Sequence, residues 1–74
     1  MKVRDNNMLA IERKNKILAI LQEERRVVVS NLSNLFKVTE ETIRRDLEKL
    51  EKEGLAKKTY GGAIMNESLN VDLP

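Results

Sequence analysis

Only three residues, Lys37-Val38-Thr39, separate two stretches with helical apolar spacing, and this connection restricts the fold more than any other feature of the chain. Upstream, "SNLSNLF" sets Leu32, Leu35 and Phe36 at i, i+3 and i+4. Downstream, "TEETIRRDLEKLEKEG" sets Ile43, Leu47 and Leu50 on one stripe. Thr39 is the natural N-cap of that second helix, Glu40 and Glu41 suit the positive end of its dipole, and Gly54 stands where a C′ glycine ends a helix. Thr42 at the third helical position leaves no capping box. Two helices joined by so short a turn cross steeply, and the second faces outward.

The flanks complete the pattern. From Met8 or Leu9 to about Glu23, the positions Ile17, Ile20 and Leu21 recur at helical spacing, with Ile11 and Met8 extending the stripe and Arg13, Lys14 and Lys16 on its flanks. "RRVVVS" favours an extended segment by β-branching, but it is too short to stand alone and needs a strand partner. "LAKKTYGGAIM" supplies one. Its Gly61-Gly62 pair between strand-compatible runs predicts a hairpin with a type I′ turn, which needs positive φ at both central residues. The start of the middle helix stays open between a Ser30 cap and a Val29 start capped by Val28. Residues 1–9 read as a flexible segment and 66–74 as the start of a polar linker. The order over residues 10–65 is helix, short strand, helix, tight turn, helix, hairpin. The expected fold is therefore mainly α with a small β-hairpin wing: a winged helix-turn-helix of three helices and a short antiparallel sheet, with the helix-turn-helix over about 27–46 and the wing over about 55–65.

Composition narrows the function. Seventy-four residues make one small domain with little core to wall off a cleft. The chain has no cysteine and no histidine, so it lacks disulfides, thiolate metal sites and the commonest general acid/base. Neither an enzyme nor a cofactor or metal site is expected. Met1-Lys2-Val3-Arg4 is followed by no apolar h-region, and no run is long enough to span a membrane, which fits a cytoplasmic protein. Net charge is +2, but residues 1–37 carry eight Lys/Arg against four Asp/Glu, while residues 38–74 carry six against eight. The acids Glu48, Glu51 and Glu53 lie beyond Arg44 and Arg45, so the third helix is basic at its front and acidic at its end.

Those charges have an ordinary explanation. Glu40–Arg44, Glu41–Arg45, Arg44–Glu48, Glu48–Lys52 and Lys49–Glu53 are all i, i+4 pairs, each adding ~0.2–0.5 kcal/mol to a solvated helix. The neighbours argue for more. The helix follows a tight turn that presents it outward, and a hairpin bearing Lys57 and Lys58 comes next. A coiled coil on Ile43–Leu47–Leu50 fails on length, since Gly54 cuts it before a second full heptad.

With these residues in view, the stretch from about Ile11 to Met65 resembles the N-terminal DNA-binding domain of the DeoR family of bacterial transcriptional regulators. The most specific part is Thr39-x-x-TIRRDL, with Arg13, Ile17 and Leu21 upstream, and "YGGA" at Tyr60–Ala63 matches the family's glycine-rich wing. The resemblance implies a recognition helix carrying Thr39, Glu40, Thr42, Arg44 and Arg45, and a wing carrying Lys57, Lys58, Tyr60, Gly61 and Gly62. It also implies double-stranded DNA as partner and a repressor of a carbohydrate operon. A phosphorylated sugar would bind a larger C-terminal domain absent from this chain, which is then a fragment. Lys58 and Tyr60 stand where the wing often has Arg and His, so wing contacts are expected to be more purely electrostatic.

Individual roles follow. Asp46, beside the apolar stripe, is expected to pair with Arg13 as a structural bridge between the first and third helices. Arg45, nearly opposite the stripe, is the expected base reader, and Thr42 is either a base reader or a backbone-bonding residue. Tyr60 is expected to pack against the wing base, because one aromatic makes no stacking platform. The rival from another class is a winged helix used for protein docking through the acidic end of the third helix. RNA is disfavoured, because a helix cannot enter the A-form major groove. The apolar inventory is small enough for one core to consume, so the fragment is expected to be mainly monomeric and the intact protein a homo-oligomer.

Overall fold

The valines that need a strand partner find it near the far end of the chain. The computed structural model describes residues 9–66, in the order α1 (Ala10–Glu24), β1 (Arg26–Val28), α2 (Val29–Phe36), α3 (Glu40–Lys52), β2 (Ala56–Thr59) and β3 (Gly62–Met65). This is a winged helix-turn-helix: three helices and one three-stranded antiparallel sheet of order β1-β3-β2. Strand β1 pairs with β3 in the register Arg26↔Ile64, Val27↔Ala63, Val28↔Gly62. Two further bonds extend that seam, from the Val29 N–H to the Gly61 carbonyl (2.8 Å) and from the Met65 N–H to the Arg25 carbonyl (2.9 Å). Except for Leu9 and Asn66, the expected flexible segment and linker lie outside the described residues, as does Met8.

The core draws on every element. Ile17 and Leu21 of α1, Val27 of β1, Val29 and Leu32 of α2, Ile43, Leu47 and Leu50 of α3, Ala56 of β2 and Ala63 of β3 are all buried. Two positions depart from the periodic reading. Ile11 and Leu35 keep 57% and 60% of their surface in water, each at the rim of an open groove between elements rather than in the core. The open boundary resolves to Val29, with Val28 as an N-cap that makes no side-chain bond. Burying Val29 in the core favours that start over the better chemistry of Ser30.

The turn between α2 and α3 is locked from one residue. The Ser33 carbonyl accepts from the Val38 N–H (3.1 Å), and the Ser33 hydroxyl donates to the Val38 carbonyl (2.6 Å). Lys37 closes α2 in the left-handed region at φ 59°, which disfavours a side chain. Thr39 then caps α3, its hydroxyl accepting from the Thr42 N–H (3.2 Å). At the other end Gly54 (φ 80°) completes a Schellman motif, with the Leu55 N–H on the Leu50 carbonyl and the Gly54 N–H on that of Glu51, both 2.9 Å.

The wing turn corrects the sequence expectation. Thr59 pairs with Gly62, so the central residues are Tyr60 and Gly61, and positive φ occurs at Gly61 alone. That is the pattern of a type II turn rather than type I′. Gly62 is needed for a different reason: a Cβ there would lie 2.0 Å from the Val27 carbonyl oxygen. With Tyr60 at the tip, its ring is fully exposed and does not pack against the wing base.

Candidate nucleic-acid interface

Helix α3 divides its side chains sharply. Ile43, Leu47 and Leu50 face the core, and Arg44 and Arg45 face away from it, with 58% and 72% of their side chains exposed. Each arginine is held by the carboxylate one turn before it: Arg44 Nη2 to Glu40 Oε1 and Arg45 Nη2 to Glu41 Oε2, both 3.1 Å. Such exposed pairs contribute only ~0.3–0.5 kcal/mol and exchange readily for a phosphate or a base edge. Thr39 and Thr42 sit together at the helix front, their hydroxyl oxygens 3.0 Å apart.

Beyond Arg45 the other expected i, i+4 pairs give way to contacts between elements. Glu48 Oε2 accepts from Lys58 Nζ (3.3 Å), and Glu51 Oε2 accepts from the Lys58 backbone N–H (3.1 Å). Glu53 Oε1 meets Lys14 Nζ of α1 (2.8 Å). The acidic end of α3 is thus occupied by the protein's own groups.

Asp46, on the same helix, turns inward. Its carboxylate receives Arg13 of α1 in a two-pronged pair, through Nε to Oδ2 and through Nη2 to Oδ1 (3.1 Å), with the two side chains only 11% and 8% exposed. Hydrogen bonding to Asp46 raises the Arg13 pKa further above its ordinary value, and burial only partly opposes this.

The wing does not gather its two lysines on one side. Strand alternation sends Lys58 toward α3, while Lys57 falls in a cross-strand row with Ile64 and Arg26 on the outer sheet face. Arg44 and Lys58, the Thr59–Gly62 tip and Val29 of α2 line one open groove. The sequence does not announce Arg26 as part of this surface, nor Glu48 and Glu51 as partners of the wing. Period-two alternation makes Arg26 findable once β1 is paired with β3, but nothing local announces that Glu48 and Glu51 meet a residue seven or more positions away. Among the described residues there is no cluster able to hold a metal ion, and no helix is long and apolar enough to cross a membrane.

An outward helix bearing two arginines beside a basic hairpin is the arrangement by which a helix enters the major groove while a wing meets the backbone. Comparison with known proteins gives the family of the domain. Residues 13–69 match the DeoR-like helix-turn-helix domain. Over 57 residues the chain is 54% identical to an uncharacterized HTH-type transcriptional regulator, YulB, of Bacillus subtilis, a match covering 77% of this chain and 22% of that protein. It is 41% identical over 61 residues to the HTH-type transcriptional regulator GolR of Listeria innocua, covering 82% and 24%. It is also 41% identical over 56 residues to a putative galactitol utilization operon repressor of Escherichia coli, covering 76% and 50%. The matched region thus spans half or less of each relative. No solved structure matches the chain.

Proposed function

Because the chain belongs to the DeoR-like helix-turn-helix family, we propose that it is the operator-binding domain of a cytoplasmic repressor acting on a carbohydrate-utilisation operon. Helix α3 enters the major groove with Arg44 and Arg45, assisted by Thr39, Glu40 and Thr42 at its front. The wing lies against the adjacent backbone through Lys57 and the Tyr60–Gly62 tip, with Lys58 seated behind them on α3. Release follows when a sugar phosphate binds a further domain of the intact homo-oligomer. The relative named for galactitol utilization supports the carbohydrate assignment. The observation that carries the DNA reading is the sorting of charge on α3. Its arginines point to solvent in weak, exchangeable pairs, whereas Glu48, Glu51 and Glu53 are taken up by Lys58 and Lys14. A protein-docking surface built on those acids would first have to break these bonds.

Titrating the chain with mixed-sequence duplex DNA at several salt concentrations tests this. Neutralising four phosphates gives a slope of about −3.6 in log affinity against log salt. A docking module would show no salt-dependent affinity for duplex, and that result would sink the proposal.

A further inference from the structure

We propose that Glu48 and Glu51 are positioning residues for the wing, a carboxylate clasp on α3 that fixes how far the hairpin tip stands from the recognition helix. The inference rests on the duplex-binding reading above. Strand β2, like β1, is an edge strand of the sheet, so one of its edges has no strand partner. Glu51 closes that edge at Lys58, accepting its backbone N–H in a charge-assisted bond of 3.1 Å. Glu48, one turn earlier on the same face of α3, takes the Nζ of the same lysine at 3.3 Å. One wing residue is therefore gripped by backbone and side chain together, from two successive turns of α3.

The position of the grip matters. Lys58 stands two residues before the turn, so the tip lies roughly 7 Å beyond the clasp. Lys58 also lines the groove that runs between Arg44 and Tyr60. A duplex has to meet α3 and the tip at once, and fixing their separation beforehand removes an ordering cost from binding. Lys58 then serves as a strut whose charge is already matched by Glu48, while Arg44 and Arg45 remain available at the front of the helix.

The test uses the 74-residue chain and a duplex selected by it from a random pool, in a long form and in a form trimmed to the α3 contact. Wild type should bind the long duplex several-fold more tightly than the trimmed one. Glu51→Ala should keep trimmed-duplex affinity within about twofold and lose the gain on the long duplex. Glu51→Gln keeps an acceptor and should restore the gain. Glu48→Gln frees the Lys58 charge and should steepen the salt slope on the long duplex by about 0.9. Without DNA, residual dipolar couplings should give one orientation of β2–β3 relative to α3 in wild type and Glu51→Gln, and a spread in Glu51→Ala. Equal weakening on both duplexes by Glu51→Ala, a gain intact in that variant, or an unchanged hairpin orientation would each overturn the clasp. Wild type indifferent to both duplexes would overturn the DNA reading itself, and the couplings would still report whether the clasp orients the wing.

Discussion

A carboxylate buried in a domain this small needs a cation, and Asp46 has one in Arg13. Asp46→Ala leaves a guanidinium at the α1–α3 contact with no partner, which costs about 3 kcal/mol. For a domain of this size the melting temperature should fall by more than about 10 °C. Thermal denaturation followed by circular dichroism reads this directly; unchanged melting with lost DNA binding would instead move Asp46 to the interface. Because the pair raises the pKa of Arg13, its contribution is fully present below the ordinary arginine value and is lost only as pH climbs through the raised one. No alkaline loss from this group is therefore expected at any ordinary pH. Arg45, the most exposed of the α3 arginines, carries the opposite expectation. Arg45→Ala should leave melting nearly unchanged and relax preference at one base position, costing ~1–3 kcal/mol on the preferred site. Selection from random duplexes that returns the same preference for both proteins would rule out base reading by Arg45.

Among the elements, the wing depends most on a single atom's absence. Gly62 lets β3 lie against β1, and a methyl group there meets the Val27 carbonyl at 2.0 Å. Gly62→Ala must push the strands apart, at a cost of about 1–3 kcal/mol. Amide exchange at Val29, whose N–H is bonded to the Gly61 carbonyl, should quicken by more than at the α3 amides; uniform quickening would mean global rather than local loosening. The hairpin also marks where sequence reasoning stops. The Gly-Gly pair announces a turn, but which two residues occupy its centre is decided by the approach of β1, a contact spanning more than thirty residues. Helices α1 and α3 were legible because their signals are local: Ile43, Leu47 and Leu50 by period, Thr39 and Gly54 by cap chemistry. Of the α3 pairs, Glu40–Arg44 and Glu41–Arg45 form as the spacing predicts. Glu48 and Glu53 choose Lys58 and Lys14, because folding brings those cations within reach. Likewise the exposure of Leu35 and Tyr60 depends on what packs against them, which periodicity does not encode.

At the scale of the molecule, the buried apolar residues form one cluster, and the large exposed ones, Leu9, Ile11, Val28, Leu35, Tyr60 and Ile64, are spread over several elements. Among the described residues they form no extended apolar face of the size a stable dimer buries, so the 74-residue chain should sediment mainly as a monomer at micromolar concentration. Fusion to an unrelated dimeriser should tighten binding to a two-half-site duplex by at least about a hundredfold and leave a single half-site almost unaffected. A stable dimer without the fusion, or equal tightening on both DNAs, would contradict this. The seam between β1 and β3 has a consequence for synthesis as well. Chains leave the ribosome N-terminus first, and helices with local contacts form fastest. All three helices and β1 precede the Gly54 stop, yet β1 has no partner until Gly62–Met65 has emerged. A nascent chain at that stage holds a helix-turn-helix whose Val27 and Val29 still lack their cover. The helix-turn-helix is therefore made early, and its β1 seam is closed late, by strand β3.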